Sequence, residues 1–331
     1  MFVRHWFLIA LAAALVTGFF GGELLAPIAN STAFRYSVVA GVLLLMGLPL
    51  HPESIVRSVR KPLAWTMAVF INAVCVPLLA AGAALALSSA MSGGLIVAAV
   101  IPCTLASASV WTRKAGGDDS VAMMVTVITN LLCFAVAPFW LTVLLGQRIQ
   151  IDFADQAAKL ALLVALPLLL AQVLRRMGCG VWADRNRRQL GTVAQGGILV
   201  MVIVGASQTR QRFQASGAEV WDWSDTLLMV AAAVGVHLAA MALGVVAARG
   251  LRLAPPQQIA VGIAGSQKTL MVGLQIAIDC GVSMLPMIVY HIGQLLVDTL
   301  VAQRWASVQE RAAEQDRLAA DDGGDHAQPD Q

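Results

Sequence analysis

The chain has 331 residues, of which 58% are hydrophobic and only 12% charged, about half the charged share of an ordinary soluble domain. So few charges cannot coat a soluble globule, and the composition points to a polytopic membrane protein in a lipid bilayer. The formal net charge of +3 comes without a basic patch interleaved with aromatics, which excludes nucleic acid as a partner.

Apolar segments of about 17 to 25 residues mark candidate spans. They fall near 6–26, 35–50, 64–88, 94–113, 120–145, 157–174, 190–208, 225–248, 257–280 and 284–303, giving an all-α membrane protein of ten helices. The first segment follows Arg4 and resembles a secretory signal, but no small-x-small cleavage site precedes a soluble domain, so it is read as a retained span. Span three carries Asn72 ahead of Pro77. Span four carries Pro102-Cys103-Thr104-Leu105-Ala106-Ser107-Ala108-Ser109, a polar run that a continuous helix does not favour. The turn Gly116-Gly117-Asp118-Asp119 sets two acids at the start of span five. Within span five, Thr126 lies beside Thr129 and Asn130 on one helical face, where hydroxyl and amide oxygens suit either a hard monovalent cation or bonds between helices.

In the second half, His237 sits alone in span eight and reads as a packing histidine. Span nine holds the polar knot Gly265-Ser266-Gln267-Lys268-Thr269. Lys268 falls about 18 Å from either end of a helix over 256–280, near the bilayer midplane. A cation there costs roughly 2.5 to 3.5 kcal/mol and marks a ligand pathway or a buried ion pair. Span ten reads His291-x-x-Gln294-x-x-x-Asp298 on one face, which suits a satisfied polar seam that packs span ten against the core, a proton relay through His291 and Asp298, or Asp298 as a counter-ion for Lys268. Asp279, at the outer end of span nine, is expected to be solvated.

Of the 22 Lys and Arg residues, Arg35, Arg148, Lys159, Arg210 and Arg212 fall on one side, Lys268 falls inside a span, and the remaining sixteen fall on the other side. This asymmetry supports ten spans with both termini cytoplasmic, in a bacterial inner membrane. Trp111, Trp140, Trp182, Trp221, Trp223 and Trp305 lie near span ends as interfacial anchors. The five cysteines show no CxxC or Cys/His spacing, so neither disulfides nor a transition metal is expected. Residues 307–331 are polar and are read as a disordered cytoplasmic tail. No HExxH, Walker, GxSxG or paired-carboxylate signature occurs, so the chain is not read as an enzyme and no organic cofactor is expected.

The interrupted spans four and nine are each fourth in a five-span half, 1–150 and 151–306, which points to an inverted repeat with a site where the broken helices meet. The stretch from Pro102 to Asp119, followed by Val-Thr-Val-Ile-Thr-Asn130, resembles the bile acid:sodium symporter superfamily; Gly265-Ser-Gln-Lys-Thr-Leu and Tyr290-His-Ile-Gly-Gln-Leu resemble its SBF-like branch. The resemblance covers about residues 5 to 305. It implies a five-plus-five inverted repeat, a panel of spans 1, 2, 6 and 7, a core of the other six with crossed broken helices, and an organic anion as substrate. It also sets Ser107, Ser109, Thr129, Asn130 and Gln267 at or beside sodium-binding positions, and Asn72 near a span-three glutamine. No Glu or Asp occurs between Gln257 and Ile278, so the acidic sodium ligand of the symporters is missing while Lys268 stands beside Gln267.

The resulting expectation is a secondary transporter of a small organic anion, with Lys268 standing in for a sodium ion and sodium or a proton as coupling ion. The alternatives are a transport-inactive regulatory or scaffold protein and a proton-coupled exchanger using Asp298 and His291.

Overall fold

The computed structural model describes residues 2–21, 27–51, 53, 58–105, 107–146, 152–215 and 223–324. Arg57, Ala106, Arg148 and Trp221, and the tail over 325–331, lie outside the described residues. Among the described residues the chain is helical throughout, with no strand.

The first half contains α1 (Phe2–Phe20), α2 (Thr32–Gly47), α3 (Pro62–Ala84), α4 (Ser89–Val100), α5 (Ala108–Lys114) and α6 (Asp119–Leu145). The second contains α7 (Phe153–Arg185), α8 (Arg187–Ala215), α9 (Trp223–Gly250), α10 (Pro255–Ser266), α11 (Leu270–Asp279) and α12 (Leu285–Gly324). Among the described residues six helices are long and apolar enough to cross a membrane, and Ile9–Phe20, Thr32–Gly47 and Met91–Val100 are shorter apolar helices. Where the sequence suggests a tail from 307, α12 runs on to Gly324.

Large apolar side chains such as Leu78, Leu162, Leu166, Val246 and Leu300 point outward, as a lipid solvent permits. Lipid removes the hydrophobic drive between helices, so packing and buried polar bonds decide how they dock. Helix α8 packs on α1, α2 and α11, and α7 packs on α2 and α6. Around the other centre, α9 packs on α10, α12 and α3, α10 on α3 and α6, and α4 on α12. Close approach of α10 to α3 depends on Gly265, where a Cβ would lie 3.2 Å from Ile71.

Helix α3 contains a π turn over Ile71–Cys75 immediately before Pro77. Because proline offers no N–H, carbonyls one turn earlier are left without a helical donor. Trp140 Nε1 takes one of them, donating to Ala73 O at 2.7 Å. The indole expected as an interfacial anchor therefore braces α3 against α6.

At one end of the bundle Asp118 caps α6 by accepting from the Ser120 N–H, donates its own N–H to Pro256 O at 2.8 Å and pairs with Lys61. Partial burial pushes the Asp118 carboxyl up, but hydrogen bonds from Lys61 and Ser120 hold it below its ordinary value of 3.8. A lowered folded pKa gives stability that is present above the ordinary value and lost as pH falls through the lowered one. Asp118→Asn keeps a good cap without the charge, so the thermal advantage of the native chain over this variant is expected to fade below about pH 4. Melting of both purified proteins across pH checks this; an advantage that grows in acid contradicts it.

Candidate functional site

Two interrupted helices meet in the middle of the molecule. Helix α4 stops at Val100 because Pro102 disfavours the helical conformation at the residue before it; Ile101 is extended, with φ −76 and ψ 163. No proline ends α10. Gln267 and Thr269 are extended, with ψ 144 and ψ 138, and their backbone finds partners elsewhere. Thr269 donates its N–H to Pro102 O at 2.9 Å, which joins the two breaks directly. Gln294 of α12 brackets Lys268, accepting from its N–H and donating to its carbonyl, each at 2.8 Å. Tyr290 donates its hydroxyl to Ser266 O at 2.9 Å. Side chains of α12 thus supply the bonds that helical continuation would have supplied.

Lys268 is 1% exposed. Its Nζ donates to Asn72 O at 2.6 Å, Asn72 Oδ1 at 3.1 Å and Ile101 O at 2.9 Å. An ammonium has three N–H donors, and these three oxygens match them. Two of the acceptors are carbonyls freed by the π turn before Pro77 and by the break at Pro102. Asn72 turns its own amide Nδ2 the other way, to Gly265 O at 3.2 Å and Gln267 O at 2.9 Å. One asparagine therefore ties the break in α10–α11 to α3 through both ends of its side chain.

The expected pairing of Lys268 with Asp298 is not found. Asp298, fully buried, accepts from Gln267 Nε2 on one oxygen and lies 3.1 Å from His237 Nε2 on the other. His237 Nδ1 is 3.3 Å from Ser266 O. The physical reason is that, between the extended residues Gln267 and Thr269, the Lys268 side chain reaches α3 and α4, whereas that of Gln267 reaches α12. Ser107 donates to Gln267 Oε1 at 3.0 Å. A continuous series, Ser107–Gln267–Asp298–His237, crosses the centre.

In α6, Thr129 Oγ1 accepts from Cys103 N at 3.1 Å and donates to Val125 O at 2.8 Å. Asn130 Nδ2 donates to Cys103 O and Thr126 O, each at 2.8 Å, while its buried Oδ1 has no hydrogen-bond partner. These residues brace the first break. Ser109 is buried on α5 outside this bonded group. His291 meets Gln294 through Nδ1 at 2.9 Å and lies a full two turns from Asp298 on α12, so the two do not form the direct relay that their shared face suggested.

A cavity of about 240 Å³ opens beside the breaks. Thr104, Ser107, Thr269, His291, Gln195 and Arg187 give it polar groups, and Leu45, Met46, Ile198, Leu270 and Met271 are among its apolar walls. Among the described residues no acidic side chain lines it. Among the described residues no group of His, Cys, Asp or Glu could hold a metal ion.

The model of the SBF-like CPA transporter family matches residues 5–307. The chain belongs to this family. It is therefore an integral membrane transporter rather than an enzyme, and the resemblance to the bile acid:sodium symporter superfamily holds. Relatives of this SBF-like transporter include PA2026 of Pseudomonas aeruginosa, an uncharacterized protein 30% identical over 227 residues, covering 66% of this chain and 67% of that one. "Probable sodium/metabolite cotransporter BASS4, chloroplastic" of Arabidopsis thaliana is 24% identical over 322 residues, covering 89% of this chain and 72% of its own. Sodium/bile acid cotransporter 7 of Mus musculus is 22% identical over 320 residues, covering 90% and 91%.

Sequence reasoning missed the carbonyls of Asn72 and Ile101, Gln294 as a backbone clamp, and His237 as the partner of Asp298. The Pro77 and Pro102 positions were the available signal for the carbonyls, since each proline removes a donor. Nothing in the sequence pairs span eight with span ten.

Proposed function

We propose that this SBF-like transporter moves a small organic anion by alternating access, with α1, α2, α7 and α8 as one moving group and the remaining helices as the other. In this reading α4 with α5, and α10 with α11, are each one broken span. Ten spans then form inverted repeats over 1–150 and 151–306, followed by a cytoplasmic tail over 307–331, in a bacterial inner membrane with both termini inside. The observation that carries the reading is the cavity. It lies between the two groups, reaches Ser107 and the first turn of α11, and carries Arg187 and His291 with no acid among the described residues. A half-helix N-terminus favours negative charge. At about 240 Å³ the cavity is below the roughly 300–1000 Å³ of drug-sized pockets, which favours a compact metabolite.

Coupling follows from the same centre. The Lys268 ammonium, held by three oxygens, takes the place of a bound cation and removes the need for sodium. Ser107, Ser109, Thr129, Asn130, Gln267 and Asn72 then shape the substrate site and the crossing around it. Proton coupling gains support from the series Ser107–Gln267–Asp298–His237, which leads from the cavity to a buried carboxylate, with His237 in the place first given to His291.

A thermal-shift screen of small organic anions on the purified full chain should find a stabilising anion, and uptake of that anion into liposomes should then be measured under sodium and pH gradients imposed separately. Uptake driven by the pH gradient and abolished by Lys268→Ala is expected. Sodium-driven uptake that survives the substitution sinks the coupling scheme.

A further inference from the structure

At the far end of α8 from the cavity mouth, a polar cluster joins the two helix groups. Gln208 is 21 residues beyond Arg187, about 31 Å along the helix. Arg35 of α2 and Gln208 of α8 both donate to Ala29 O, at 2.8 and 2.9 Å. Across the boundary, Arg35 Nη2 is 4.0 Å from Asp279 at the end of α11, and Gln275 donates to the same carboxylate at 2.8 Å. The Arg35 side chain is 8% exposed and that of Asp279 18%, while Asp279 as a whole residue stays exposed at the helix end, where water was expected.

Three buried polar atoms of this cluster, Arg35 Nε, Gln208 Oε1 and Gln275 Oε1, have no hydrogen-bond partner. Water would pair each of these atoms if the two helix groups parted here. Just inside the cluster, Gly205 of α8 is capped by the Met284 side chain, with Ile278 beside it. A Cβ on Gly205 would collide with Met284. The cavity is lined on α8 from Arg187, which is exposed, to Ile198, and farther along α8 the apolar contact at Gly205 lies beneath the polar clasp.

We propose that Arg35–Asp279, with Gln208 and Gln275, is a gate that closes this end in the state seen here and parts when the cavity closes at the Arg187 end. The inference rests on the alternating-access reading and adds the residues that hold one of its two states. Ions and amides suit this task because water rehydrates them when the gate opens.

The test uses thiol labelling of the full chain in lipid nanodiscs, with each site resolved by peptide mass. Val110→Cys reports on the cavity, since Val110 lines it and is 48% exposed. Ile278→Cys reports on the apolar contact, where exposure is 7%. Arg35→Ala or Asp279→Ala is expected to raise labelling at 278 about tenfold, as when an open state of about 1% grows to about 10%, and to slow labelling at 110. Arg35→Asp combined with Asp279→Arg should restore both rates. If the single variants do not fold, Gly205→Leu displaces Met284 and should shift the two reporters in the same opposed directions.

Unchanged labelling at 278 in folded variants overturns the gate, as does a rise at both reporters together, which signals loosening. Opposed shifts in a chain that carries no anion would defeat the transport reading and leave the gate standing. Uptake without any shift on clasp removal would do the reverse.

Discussion

Replacing Lys268 by methionine should destabilise the protein by about 1–3 kcal/mol for each buried oxygen left without a donor. Methionine keeps most of the aliphatic stem and deletes the charge, so the loss is attributable to the ammonium. What remains is Asn72 O, Asn72 Oδ1 and Ile101 O facing one another with no donor, in a position 1% exposed. Lys268→Ala should be at least as unstable, because it also leaves a void. Lys268→Arg should not rescue, since a planar guanidinium cannot present three donors to a compact set of oxygens. Thermal unfolding in detergent reads each variant. Near-native stability of Lys268→Met would mean that the three oxygens find other partners and that the lysine is not the keystone of the crossing.

Asp298→Ala should also destabilise, by about 1–3 kcal/mol for each buried donor left unpaired, and its effect should spread to both neighbours. Gln267 Nε2 loses its acceptor and His237 Nε2 its carboxylate, both in fully buried positions. With the carboxylate gone, Gln267 has no reason to present Oε1 to Ser107, so the cavity wall at Ser107 should change as well. A double-mutant cycle between Asp298→Ala and His237→Ala should show coupling of about 0.5–3 kcal/mol, as residues in one network do. Additive losses would show that the 3.1 Å approach contributes nothing. His291→Ala should couple to Asp298→Ala far more weakly, since it meets Gln294 instead.

How much of this was legible in the sequence depends on where each bond comes from. Lys268 stood out because an ammonium in a long apolar run is costly wherever it points. The first break was legible from Pro102, since proline both lacks a donor and restrains Ile101. The second break has no proline and showed only as a polar knot; what holds it extended is Gln294, 26 residues later, which span-by-span reading cannot supply. Lysine's partners were hidden for a different reason. Two are backbone carbonyls, and a carbonyl is present at every residue, so only local geometry says which ones are free. The wrong counter-ion arose from reading Lys268 and Asp298 as two charges in one place, whereas Gln267 reaches Asp298 and Lys268 reaches Asn72 and Ile101. Asp279 is the exposed acid that a helix end suggests, but its neighbour was hidden, since the arrival of Arg35 from α2 is a tertiary event. The spans near 64–88, 120–145, 190–208 and 225–248 match long apolar helices within a few residues, since apolar length is a property of the sequence alone, whereas α7 runs on to Arg185 past the expected end at 174.

The measurement that tests the central claim most directly is equilibrium sodium binding by the purified chain, compared with Lys268→Ala at matched ionic strength. If the ammonium occupies the place of a cation, the native chain should bind no sodium at the crossing. The alanine variant, with Asn72 O, Asn72 Oδ1 and Ile101 O left open, should gain saturable binding and a melting temperature that rises with sodium. Saturable sodium binding by the native chain, with an affinity unchanged by Lys268→Ala, would contradict the claim.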